Sequence, residues 1–335
     1  MAAGAAKKKL PARKRAAVKP RAPQGTKHGA KWNLRRASGI QILEAPALAR
    51  FDWLVHGFST RPGGSSELKA LRDGRDTTER VLNVGFTDWD KRERVLDNRD
   101  KFFRGIGAAK MRVAALRQIH SDMVHIVTAS NHSRAGAVAG SESAPQADAL
   151  ITRESGALLV VQTADCVPIL LADTKRHAVA AIHSGWRGTV RRIAEKTLGR
   201  MQMEFGTEPK DVIAAIGPGI GQSCYEVGTE VAAEFQAQFP NAREWFDGPF
   251  DRLADSDSDP NWLPWLTMKP PGHAPPPPRV QLDLIAANRA ILAAAGIPAT
   301  NISVSGYCTA CRSDLFFSYR KERETGRMIA AIGIR

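Results

Sequence analysis

Ala157-Leu158-Leu159-Val160-Val161-Gln162-Thr163, then Pro168-Ile169-Leu170-Leu171-Ala172, then Ala178-Val179-Ala180-Ala181-Ile182-His183 is the stretch on which the reading of the fold turns. Short apolar runs separated by polar turns read as strands. Working outward, Val113 to His120, Met123 to Thr128 and Ala149 to Thr152 continue the pattern upstream, so a substantial sheet is expected. Three chemically rich contexts close these runs: Gln118-Ile119-His120-Ser121, Thr163-Ala164-Asp165-Cys166-Val167-Pro168 and Ile182-His183-Ser184-Gly185-Trp186-Arg187-Gly188. Strand ends are where chemistry collects.

Downstream the period changes to that of helices. Gly188 to Phe205 places Val190, Ile193, Ala194, Leu198 and Met201 on one side and charged residues on the other. Strand Val212 to Ile216, a helix over 229–239, helix Leu282 to Ala295, strand Ile302 to Ser305 and strand Met328 to Ile334 follow. Upstream, Ile42-Leu43 and Trp53 to Phe58 read as short strands, and Asp90 to Gly105 as a helix with Val95, Leu96, Phe102 and Phe103 inward. Between them, Ser59-Thr60-Arg61-Pro62-Gly63-Gly64-Ser65 reads as a Gly-rich turn that offers a phosphate or ribose contact or is a plain loop. Residues 241–279, with Pro275 to Pro278 and Trp245, Trp262 and Trp265, read as an irregular insertion packed on the body.

With 335 residues and 43% apolar composition the chain has ample material for a buried core. The formal net charge of +14 is unevenly placed: residues 1–38 hold twelve Lys or Arg and no acid, leaving 36 basic against 34 acidic residues elsewhere. Residues 1–39 therefore read as a disordered basic tail, which binds anionic surfaces weakly and is not a specific nucleic-acid reader. No apolar run is long enough for a membrane span, and the tail lacks the apolar core of a secretory signal. Four cysteines in so long a chain make no disulfide framework, so Cys166, Cys224, Cys308 and Cys311 are read as thiols of a cytoplasmic protein.

His120, Cys166 and His183 are the ligand types of a catalytic zinc site that keeps one position open for water. Their separations of 46 and 17 residues fit no compact pattern, and a single Cys is often only a small hydrophobe. Asp165 can orient a ligand, move a proton or merely cap a turn; Arg187 can hold a phosphate or pair with a surface acid. Trp186 offers a face for a base or a packing anchor. Cys308 and Cys311 form a lone CxxC, read as ordinary structural cysteines.

Taken together, the three contexts with Gly217-Pro218-Gly219-Ile220, Tyr225-Glu226-Val227, Leu282-Asp283-Leu284, Cys308-Thr309 and Phe316-Phe317-Ser318-Tyr319-Arg320, in this order, resemble the laccase-domain family, also called the YfiH or polyphenol oxidoreductase family. The resemblance covers roughly Ile40 to Ile334. It implies one catalytic α/β (α+β) domain over residues 40–335, a layered α/β/β/α sandwich with mixed sheets. It implies Zn2+ on His120, Cys166 and His183; such a borderline-soft donor set could also bind copper adventitiously, since copper outranks zinc in intrinsic affinity. It implies purine nucleoside phosphorylase activity on adenosine, inosine, guanosine and methylthioadenosine, with adenosine deaminase activity, so purine nucleosides and phosphate are the expected partners.

Catalytic roles then fall to Cys166, Asp165 and Arg187, and substrate contacts to Arg61, Asn83, Trp186 and Tyr225. Ser184 departs from the family's usual Ala, and the basic tail and the insertion are longer than the common pattern. A multicopper oxidase needs paired His-x-His motifs, and the eight histidines here form none. Two rivals remain: a metal-independent cysteine hydrolase acting as a peptidoglycan editing factor, with Cys166 as nucleophile, and a nucleic-acid-associated protein acting through its tail.

Overall fold

The computed structural model describes residues 31–72, 75–129, 144–248 and 279–335. Its first strands are β1 (Asn33–Ala37), β2 (Ile40–Glu44), β3 (Leu54–Ser59), β4 (Pro62–Arg72), β5 (Arg75–Val81), β6 (Arg112–Ala115), β7 (Val124–Ile126), β8 (Ala149–Thr152) and β9 (Ala157–Thr163). They are followed by β10 (Val167–Asp173), β11 (Ala178–Ser184), β12 (Val212–Ile216), β13 (Glu226–Gly228), β14 (Phe246–Asp247), β15 (Arg279–Leu282), β16 (Ile302–Val304) and β17 (Met328–Ile334). Two six-stranded mixed sheets result, in the orders β1-β2-β3-β17-β9-β6 and β16-β12-β10-β11-β8-β7.

Side-chain alternation along the central strands builds the layers. In β9, Leu159 and Val161 join Phe58, Ala330 and Ile332 in a core shared with Leu170, Ala172, Val179 and Ala181 of the other sheet. The opposite residues of β9, Leu158 and Val160, pack with Phe102 and Ile106 at the end of helix Arg92–Gly105. On the far side, Ile169, Leu171, Ala180 and Ile182 meet helices Ile193–Phe205, Thr229–Gln238 and Leu284–Ala294. The order is helix, sheet, sheet, helix in a single mixed α/β domain. Both faces of the central strands are buried, which is why their sequences are continuous apolar runs rather than alternating ones. Each fully buried Leu or Ile contributes on the order of 1.5–3 kcal/mol.

Several expectations need correction. Residues 33–37, assigned to the tail, form β1, and Trp32 is 5% exposed. Trp32 lies against Phe58 with ring centroids 5.2 Å apart, and its Nε1–H donates to Ser303 Oγ at 2.8 Å. The Gly-rich turn at 59–65 opens a hairpin of β4 and β5 instead of a plain loop, with a bulge between Pro62 and Ser66. The helix expected over 188–205 is two helices, Trp186–Val190 and Ile193–Phe205, broken at Arg192, whose φ is 61°. In helix Arg92–Gly105 the inward residues are Val95, Asn98, Arg99 and Phe102, while Leu96 is exposed. The insertion begins in ordered form: Ala242–Trp245 is a 3-10 turn, Phe246–Asp247 is a strand, and Trp245 is buried in the core. Residues 1–30 and 249–278, with Trp262 and Trp265, lie outside the described residues. Among the described residues no helix is long and apolar enough to cross a membrane.

The Trp32 contacts give a direct test of where the domain starts. Trp32→Ala should cost about 3–5 kcal/mol in urea unfolding, with the denaturant slope unchanged.

Candidate metal centre and active-site cavity

The β10–β11 hairpin sets the first two members of the site. Its register pairs Pro168 with His183 and Val167 with Ser184, so Cys166, just before β10, faces Gly185, just after β11. The neighbouring register of β8 on β11 pairs Ala149 with Ile182, which brings Asp148 beside His183. The backbone N–H of His183 donates to Asp148 O at 2.8 Å, and His183 Nδ1 lies 2.8 Å from Asp148 Oδ1. With Nδ1 committed there, Nε2 is the nitrogen left for the cluster.

His120 arrives from the loop after β6, in a left-handed conformation (φ 57°) that non-glycine residues rarely adopt. That conformation turns consecutive N–H groups in one direction, forming a nest for an anion. Asp148 fills it: its carboxylate accepts from the N–H groups of Ile119, His120 and Ser121 at 3.2, 3.1 and 2.6 Å, and from Ser121 Oγ at 2.7 Å. Gln118 pins the same loop to β9 by a reciprocal pair of 2.8 Å bonds with the Gln162 backbone.

The ligand atoms of His120, Cys166 and His183 all lie within 4.8 Å of one another. His120 Nε2 is 3.9 Å from Cys166 Sγ, and the two imidazoles meet edge to face at 5.0 Å. Gly185 supplies the bare wall: a Cβ there would come within 3.0 Å of Cys166 Sγ and 3.2 Å of His120 Cδ2. This donor set, with the second nitrogen of His183 anchored on a carboxylate, fits a metal ion held by two imidazoles and a thiolate.

Burial disfavours both charged forms at the Cys166–His183 pair, but mutual attraction outweighs it. Cys166, with His183 and His120 beside it, is brought down to about 6. His183, facing the thiolate and Asp148, is pushed up to about 9. Burial also raises Asp148, yet its bonds from His183 and Ser121 hold it down at about 2. A metal ion bound here would exchange for the proton of His183, so its uptake would release a proton and weaken as pH falls.

The cluster sits in a cavity of about 690 Å³, within the range of small-ligand sites. Trp186, Tyr225, Tyr319 and Phe86 bring aromatic surface to it, and Arg117, Arg187, Arg320 and Arg327 bring positive charge. Arg187 lies 4.5 Å over the Trp186 ring and has no ion pair among the described residues. Asp165 also lines the cavity at φ 90°, but its oxygens accept from Thr309 Oγ1 at 2.6 Å and from the Arg320 N–H at 2.7 Å. The Ser184 hydroxyl is absorbed beneath the site, 2.9 Å from Thr189 Oγ1 and 2.8 Å from Asn288 Oδ1.

Two expected substrate contacts do not reach the cavity. Arg61 is 4% exposed and its guanidinium is committed to Glu79 and Glu322 and to the face of Phe317. Asn83 is fully buried, donating to Gly85 O and Asp90 Oδ2 and accepting from the N–H groups of Gly85 and Arg327. Both hold the wall from behind. Sequence reasoning missed Asp148, for which its place before β8 is the only local cue, and gave no role to Tyr319, Arg320, Arg327 or Phe86. Tyr319 and Arg320 do fall inside the Phe316 to Arg320 segment that resembles the family.

Fold and site together define a mixed α/β domain with a His/Cys/His centre in an aromatic, arginine-lined cavity. The family described as "Multi-copper polyphenol oxidoreductase laccase" matches residues 55–335, and the chain belongs to it. It is similar to a purine nucleoside phosphorylase of Deinococcus radiodurans, 35% identical over 299 residues, covering 89% of this chain and 94% of the relative. It is also similar to adenosine deaminase RL5 of an unknown prokaryotic organism, 36% identical over 268 residues, covering 80% of this chain and 88% of the relative. The solved structure of a Bacillus licheniformis hypothetical protein, YfiH, superposes with a TM-score of 0.70 at 29% identity, covering 89% of this chain and 97% of that one.

Two substitutions separate the carboxylate from the cluster. Gly185→Ala should keep cooperative unfolding yet weaken metal retention at least roughly tenfold, read by metal analysis after dialysis. Asp148→Asn acts on acid stability as well. The folded pKa of Asp148 lies below its unfolded value, so its stabilisation is present above about pH 4 and fades as pH falls toward 2. The variant should lose that part of the acid-unfolding limb along with metal affinity.

Proposed function

We propose that the protein is a zinc-dependent purine nucleoside phosphorylase that also deaminates adenosine. The observation that carries this is the joining of the His120/Cys166/His183 cluster to a cavity lined by aromatic rings and arginines. The relatives named as phosphorylase and deaminase support both reactions. A bound zinc ion supplies Lewis acidity, polarising an oxygen ligand or lowering the pKa of water toward neutrality.

The chain's own residues do the rest. In phosphorolysis, phosphate attacks C1' of the ribose as the purine departs. Arg187, solvent-facing and free of a carboxylate partner among the described residues, holds the phosphate charge; Arg117 also lines the cavity. Trp186 and Tyr225 give the purine apolar faces. Asp165 acts by position, tying the Arg320 backbone and the Thr309 loop to the cavity. In deamination the same faces hold adenine while water adds at C6 and the 6-amino group leaves as ammonia. Four unpaired cysteines fit a reducing, cytoplasmic setting.

Cys166 and His183 also resemble a nucleophile with its base, the single observation favouring a cysteine hydrolase. The first experiment separates the readings: metal content, with purine release and inosine formation measured before and after chelation. About one zinc per chain at this centre and activity abolished by chelation or by Cys166→Ala are expected. Activity that survives chelation but not iodoacetamide would transfer Cys166 to the nucleophile's role. Arg187→Ala should raise the KM for phosphate roughly tenfold or more while leaving deamination nearly unchanged, as expected for loss of a charged hydrogen bond.

A further inference from the structure

Cys224, Cys308 and Cys311 come from two segments far apart in sequence, yet their sulfurs all lie within 4.8 Å of one another. Cys224 ends the 3-10 turn Gln222–Cys224, and Cys308 and Cys311 lie in the loop after β16. Cys224 Sγ is 3.3 Å from Cys311 Sγ, and all three thiols are free. The backbones that carry them are locked together. Gly219 and Cys308 form a parallel bridge, and the Thr309 N–H donates to Gly219 O at 3.0 Å.

The sulfur of Cys308 is oriented by backbone donors rather than packed as a filler. It accepts the N–H of Gly221 at 3.1 Å and the N–H of Cys311, three residues on, at 3.4 Å. Gly221 permits the approach, since a Cβ there would stand 3.1 Å from Cys308 Cβ and 3.2 Å from Cys308 Sγ. Two thiols would suffice for a disulfide. A third, converging on the same point and presented by a CxxC turn with N–H to sulfur bonds, matches the donors of a soft, tetrahedral ion with metal–sulfur bonds of about 2.3 Å.

We propose that Cys224, Cys308 and Cys311 form a second metal site, a three-thiolate site for a d10 ion of the zinc class, distinct from the His120/Cys166/His183 centre. Cys311 is exposed and Cys224 and Cys308 are half-buried, so the ion enters from solvent and keeps its fourth position toward it. Its place gives it a structural consequence. Tyr225 follows Cys224 directly, and the Thr309 hydroxyl, beside Cys308, donates to Asp165, which also lines the cavity. An ion here clamps the 217–225 segment to the 305–312 segment and fixes that part of the lining.

The test uses full-length, reduced and chelated protein carrying Cys166→Ala, so that the first centre is removed, with Cd2+ alone as the probe. Thiolate-to-cadmium charge-transfer absorption should rise linearly and stop near one ion per chain, and Zn2+ should displace it. Adding Cys311→Ser, a change at an exposed position, should weaken uptake at least tenfold, and Cys224→Ser or Cys308→Ser should do the same. Wild-type protein with Cys311→Ser alone gives a check that does not depend on Cys166→Ala folding: stoichiometry should fall from two ions to one. No stoichiometric band in the Cys166→Ala protein, or a band unaffected by all three serine substitutions, overturns the proposal. So does a wild-type stoichiometry that stays the same with Cys311→Ser.

Discussion

A single buried carboxylate organises this site. Asp148 is fully buried, and an isolated charge there would be costly, so its place in the fold depends on the donors around it. Three consecutive N–H groups, one hydroxyl and one imidazole converge on its two oxygens. The same carboxylate thereby bends the 119–121 loop, tolerates the left-handed backbone of His120 and fixes which nitrogen of His183 faces the cluster. Two of the three residues of the cluster, His120 and His183, come from separate segments of chain and are held in common by one residue outside it. A neutral isostere keeps the volume but removes the reason for the loop to adopt that conformation.

The sheet strands were legible because the central strands are buried on both faces, which leaves a strong local trace in runs such as Leu158 to Val161 and Ile169 to Ala172, whereas the layering rested on the family resemblance. Where one face is wet the trace fades. The β4–β5 hairpin has mixed polarity and two glycines at positive φ, Gly63 and Gly64, so local composition resembles a turn more than a strand. β1 carries adjacent arginines and is mostly exposed, so it reads as tail; what holds that region is Trp32, whose partners Phe58 and Ser303 are remote in sequence. The helix break at Arg192 leaves the apolar period intact and shows only in the backbone.

The structure brings to one cavity the residues whose type alone implies chemistry: His120, Cys166, His183, Arg187. Trp186 and Tyr225 were found beside them. Residues that act through geometry were not legible. Asp148 is one of 34 acidic residues, and only the β8–β11 register singles it out. Cys224 gained a meaning only when the fold set it against Cys311, 87 residues away. Arg61 and Asn83 lie off the cavity lining. A Gly-rich context and a polar residue before a helix suggest a ligand contact, but both side chains spend their hydrogen bonds on the frame.

The arrangement around Cys166 also bears on the choice between ligand and nucleophile. A nucleophilic cysteine needs one base, oriented by one acceptor, and His183 on Asp148 would satisfy that requirement alone. The cluster contains a second imidazole, His120, whose Nε2 faces the same sulfur and whose strained backbone is maintained by the same carboxylate. A strained, oriented second imidazole is surplus to a thiol–imidazole pair, whereas a metal centre requires it. Gly185 adds to the argument from the other side. Its missing side chain leaves room beside both Cys166 Sγ and His120 Cδ2, a space a cation shared by the two would use. The protein has arranged donors around a point rather than along the line from a base to a nucleophile, and that geometry favours the metal.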